Sequence, residues 1–98
     1  MESLDPERQR LWVTAMRPLV LYRLLHNQEH SAMRFRRLVG EAETRGDAQS
    51  RKTLGAQHSA ALRDYRDTYE QIRQEGLLPP PIPPDVASDL EHHNMEVY

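Results

Sequence analysis

Apolar residues return at alternating steps of four and three along most of this chain, with polar and charged residues between them. That period puts them on one face of an α-helix. The first stripe is Leu21, Leu25, Gln28, Ala32, Phe35, Val39 and Ala42. The second is Leu54, His58, Ala61, Leu62, Tyr65, Tyr69 and Ile72, with Arg63, Asp64, Arg66, Asp67, Glu70 and Arg73 outside it. At ~1.5 Å per residue a helix over 48–75 is ~42 Å long, comparable to 19–45 laid straight. The two are therefore expected to pair as an antiparallel hairpin.

Boundary signals divide the chain further. Asp5 is suited to cap a helix that starts at Pro6, and Glu7 complements the dipole of its first turn. Pro18 lacks an N–H and its ring crowds the preceding turn, so a break or sharp kink is expected there. Asn27 and Ser31 leave open a second interruption, with a turn around 28–30. Gly46 fits the left-handed position that ends a helix, and Asp47 can cap the next one. Gly76 ends that helix, and five prolines within 77–84 then enforce an extended arm. Asp85 is placed to cap a last short helix through Val86 and Leu90 to about His93. The expected fold is all-α. It is a small three-helix bundle or a helical hairpin with a broken N-terminal helix, a Pro-rich extended arm and a short C-terminal helix. Residues 1–76 form the helical domain and 77–98 the arm with its terminal helix.

Composition narrows the reading. Ninety-eight residues with 38% hydrophobic content and a mean hydropathy of -0.81 make a thin bundle, stabilised in part by a partner, more plausible than a thick core. Without cysteine there is no disulfide framework, thiolate metal site or thiol catalysis. The apolar run from Leu11 to Leu25 is broken by Arg17, Pro18 and Arg23 and is too short to span a bilayer. The net charge of -2 conceals a gradient. Residues 1–39 carry seven arginines against four acids, 40–76 six bases against seven acids, and 77–98 four acids and no base. Between Arg8 and Gln28 there are four arginines and no acid, which suits an acidic protein partner, while the overall balance speaks against nucleic acid.

Leu21-Tyr22-Arg23 lies in the densest apolar run, with Leu19, Leu24 and Leu25 around it. It resembles the signature tripeptide of the LYR-motif family of small mitochondrial assembly factors and accessory subunits. Phe35-Arg36-Arg37 is similar to that family's downstream Phe-Arg, and Asp47-Ala48-Gln49 with Leu54 to the start of its third helix. The resemblance implies a three-helix bundle that docks an acyl carrier protein. It also implies that the carrier's acyl-phosphopantetheine enters the bundle, the chain having no cofactor of its own. Leu21, Tyr22, Arg23, Arg34, Phe35, Arg36 and Arg37 would then form the partner-binding set, with Leu21, Leu25 and Phe35 beside the acyl chain. A mitochondrial location goes with this reading and a cytoplasmic one with its alternative. In that alternative the chain is a non-catalytic helical-hairpin structural or regulatory protein, phage or bacterial, that self-associates or binds a larger assembly. An unbroken helix over 19–45 favours the hairpin, and a turn near 28–31 favours the LYR bundle.

Three shorter matches carry less. His26-Asn27-Gln28-Glu29-His30 spells the H-x-x-E-H pattern of inverted zinc peptidases. Such an enzyme needs a third ligand and a substrate cleft that a chain of this size does not offer, so neither catalytic nor metal-binding residues are expected. Arg45-Gly46-Asp47 is accounted for by the turn between helices. Pro80-Pro81-Ile82-Pro83 satisfies P-x-x-P but has no adjacent base to orient an SH3-type contact, which favours an arm laid along a larger assembly.

Overall fold

The computed structural model describes the backbone of residues 6–95 and the side chains of 16–95. It consists of three helices, α1 (Pro6–Arg45), α2 (Ala48–Gln74) and α3 (Pro84–His92), with no strand among the described residues. The molecule measures 59 × 34 × 15 Å, so its core is a single seam between helices rather than a filled interior.

The expected break at Pro18 does not occur, and α1 is helical on both sides of it. A proline inside a helix costs ~3 kcal/mol through its missing N–H and ring clash. Here Leu21 and Leu25, one and two turns further on, are buried against α2, and Arg17 is paired with Glu75. Leu21 and Leu25 follow Pro18 and pack on α2 whether or not the helix breaks there, so the described contact that continuity keeps is the Arg17–Glu75 pair. The alternative turn near 28–31 is absent as well. Ala32 is buried and Gln28 half-buried along the line of Leu21 and Leu25, so the stripe outweighs the capping potential of Asn27 and Ser31. The capping role expected of Asp5 lies outside the described residues.

The hairpin turn follows the sequence closely. Gly46 adopts φ +70°, and its N–H donates to the Glu43 carbonyl at 3.1 Å while that of Asp47 donates to Ala42 at 3.0 Å. Asp47 then caps α2, one carboxylate oxygen accepting from the Ser50 N–H at 3.1 Å and the other from its hydroxyl at 2.7 Å. These bonds hold the Asp47 pKa below its ordinary value. Gly76, at φ +76°, closes the other end of α2, where the Leu77 N–H reaches the Ile72 carbonyl at 3.1 Å.

The buried faces are those the period predicts. Leu21, Leu25, Ala32 and Ala42 from α1 share the interior with His58, Ala61, Leu62, Tyr65 and Ile72 from α2. Thr68 joins them from a position the apolar pattern passes over. The arm and α3 fold back onto the same cluster through Leu77, Ile82, Val86, Leu90 and Met95. The arm thus lies on its own hairpin, and 77–95 shares the core of the helical domain. Asp85 does not cap α3, whose first residue follows Pro83 without a side-chain cap. Its carboxylate instead meets Arg36 of α1 at 3.2 Å. Asn94, at φ +55°, turns the chain after α3 so that the Met95 N–H reaches the Leu90 carbonyl at 2.8 Å and its side chain enters the core.

Tyr65 is fully buried, its hydroxyl has no hydrogen-bond partner among the described residues, and burial pushes its pKa up to about 12. An unpaired hydroxyl in an apolar setting opposes folding, whereas the ring itself fills space. Tyr65→Phe is therefore expected to leave the chemical-denaturation midpoint unchanged or raise it, while Leu25→Ala lowers stability by about 2–5 kcal/mol.

Candidate docking surface

α1 presents three different sides to its surroundings. One meets α2 through Leu21, Leu25 and Ala32. A second meets the arm and α3: the Tyr22 hydroxyl donates to the Leu78 carbonyl at 2.7 Å, and Arg36 reaches Asp85 and Asp89 at 3.2 and 3.3 Å. The third is uncovered, and along its first half it carries Met16, Leu19, Val20 and Leu24, of which Leu19 and Val20 are about three-fifths exposed (61% and 60%).

The tripeptide is thus divided among three roles. Leu21 is core, Tyr22 is half-buried and holds the arm, and Arg23 faces solvent. Phe35 is half-buried beside an open depression of 290 Å³ between the hairpin helices, lined also by Gln28, Ser31, Ala60 and Ala61. The arginines divide as well. Arg17 and Arg36 are engaged with acids of the chain, whereas Arg23, Arg34 and Arg37 are exposed with no carboxylate within ion-pair distance among the described residues. His30, Ser31, Met33, Arg34, Arg36 and Arg37 line a wide, open depression on α1. The uncovered side is therefore apolar at its front and cationic further along.

Sequence reasoning missed the front of this surface. Leu19, Val20 and Leu24 belong by composition to the densest apolar run, which suggests burial. For Leu19 and Val20 the signal was already in the pattern, because neither is three or four residues from Leu21, Leu25 or Gln28, whereas Leu24, three after Leu21 and four before Gln28, fits the stripe by spacing.

A polar junction joins all three helices on the α3 side. Asp89 of α3 lies between Arg36 of α1 and His58 of α2, with Nε–Oδ2 and Nε2–Oδ2 separations each of 3.3 Å. The His58 contact is electrostatic rather than an aligned hydrogen bond. The His93 ring stands edge-on to His58 with centroids 5.5 Å apart, and its Nδ1 lies 3.3 Å from the Ser59 hydroxyl. Among the described residues no three His, Asp or Glu side chains converge on a point that could hold a metal ion, and no helix is long and apolar enough to cross a membrane.

No known protein family, curated protein or solved structure matches this chain.

Burial pulls the His58 pKa below its ordinary 6.5, and proximity of Asp89 opposes that shift only in part. The folded state therefore favours the neutral ring. Stability is complete above the unfolded value of 6.5 and declines as pH falls through the lowered folded value. Thermal unfolding should give a lower midpoint at about pH 5 than at about pH 7.5, and His58→Gln should shrink that difference. An equal difference in the variant would assign the pH response to other groups.

Proposed function

We propose that this chain is a non-catalytic helical hairpin that docks onto a larger protein assembly through the uncovered side of α1. The observation that carries the reading is the exposed row Met16, Leu19, Val20 and Leu24 on a helix that runs unbroken past the end of its partner. Arg17 pairs with Glu75 at the end of α2, so the eleven residues 6–16 extend ~16 Å beyond the hairpin seam. A helix face that is apolar and solvent-facing at Met16, Leu19, Val20 and Leu24, in a stretch without acids between Arg8 and Gln28, suits an amphipathic helix with acidic flanks. The apolar contacts would supply affinity, and the arginines orientation and encounter rate.

The test is isolation of intact assemblies from the native source with the wild-type chain and with Val20→Asp/Leu24→Asp. Both positions are exposed, so helicity is expected to stay and the bound partner to be lost. Retention of the same partner by the double variant would overturn the reading.

A second reading, an LYR-type adaptor for a mitochondrial acyl carrier protein, is favoured by the exposed arginines Arg23, Arg34 and Arg37, which pair with no carboxylate among the described residues and suit an acidic carrier helix. It stands behind the first because α1 lacks the turn near 28–31 that would favour such a bundle, and because Leu21 and Leu25 are packed into the core. Its distinguishing outcome is loss of a co-purifying acyl carrier protein in Arg23→Glu/Arg34→Glu, with Val20 and Leu24 intact. Failure to recover any acyl carrier protein with the wild-type chain would rule it out.

A further inference from the structure

On the outer face of α1, His26 and His30 stand one turn apart, both exposed, with their Nε2 atoms 3.1 Å from each other and their rings crossed at 81°. Two imidazole nitrogens bound at ~2.0–2.1 Å to one tetrahedral zinc ion lie ~3.3 Å apart, and two adjacent nitrogens on a square-planar copper(II) ion ~2.9 Å apart. The observed separation falls between these values. We infer that His26 and His30 form a bidentate site for a borderline divalent transition metal, of the copper(II), nickel(II) or zinc(II) class, with the metal held on the surface of α1.

The placement favours chelation. Both residues lie within a single continuous helix, so its backbone holds the two rings at the i, i+4 spacing before any metal arrives, and the second nitrogen binds as an intramolecular event. Hard ions such as magnesium and calcium are excluded by the donor type, since they take oxygen ligands. Glu29, the carboxylate between the histidines, is half-buried and close enough to the buried Tyr65 to raise its pKa, so it is directed to the seam and away from the pair. With no third protein ligand among the described residues, the remaining coordination positions go to water. Arg23 and Arg34 flank the pair one turn before and one turn after. Their charges repel a dication, which weakens the site and makes its affinity rise, not fall, as inert salt screens them.

Calorimetric titration of the full chain with copper(II) and zinc(II) tests the assignment, alongside His26→Ala, His30→Ala and His92→Ala. Alanine favours a helix at both exposed sites, and circular dichroism verifies that each variant is folded. Saturable binding is expected in the wild type and in His92→Ala, with affinity lowered by about a hundredfold in each of the other two. It should strengthen as sodium nitrate is added. Absence of saturable binding in the wild type, equal binding in His26→Ala or His30→Ala, or weakening with salt would each overturn the site.

Discussion

The seam between α1 and α2 is the contact from which the other features follow. Tyr65, Leu62 and Ile72 are wholly screened from solvent there and meet Leu21, Leu25 and Ala32 across a single layer. With a molecule 15 Å deep there is no second layer to take over if that one loosens. Hydrophobic burial at ~25 cal/mol per Å² is concentrated in these few side chains, and the seam sets the register of both helices. Local preferences that conflict with that register are overridden.

Pro18 shows the hierarchy. Breaking α1 there would relieve the ring clash and the missing hydrogen bond, but it would separate Arg17 from Glu75, while Leu21 and Leu25, which follow Pro18, stay on α2 either way. The helix continues despite the ~3 kcal/mol that an internal proline costs. A side effect is that the backbone of α1 is carried on as a helix beyond the end of α2. The exposed row at 16–24 lies on the side of α1 turned away from α2.

The arm and α3 depend on the same seam at one remove. Pro83 lies at φ -57°, ψ 144°, within the polyproline range, and seven extended residues over 77–83 reach ~22 Å. That is close to the ~24 Å separating His58 from the end of α2. The arm therefore delivers α3 to the level of His58 and Arg36, where Asp89 meets both. Val86, Leu90 and Met95 supply apolar contact, while the charges fix the position of α3. Tyr22 and Arg36 are occupied in holding this segment, whereas Arg23, Arg34 and Arg37 have no such partner among the described residues.

The all-α class, both long stripes, the Gly46–Asp47 turn and the Gly76 stop were legible in the sequence. Each depends on local physics: a 3.6-residue period, a left-handed glycine, a carboxylate next to free N–H groups. Leu21, Tyr22 and Arg23 were legible as a noteworthy cluster, but not as one core residue, one strap and one exposed cation. The continuity of α1, the change of Asp85 from cap to ion-pair partner, and the exposure of Leu24 were settled only in three dimensions. In each of these cases residues distant in sequence compete for the same side chain or backbone segment. A local pattern records what a segment prefers, whereas the choice among preferences depends on which apolar surface another helix is there to cover.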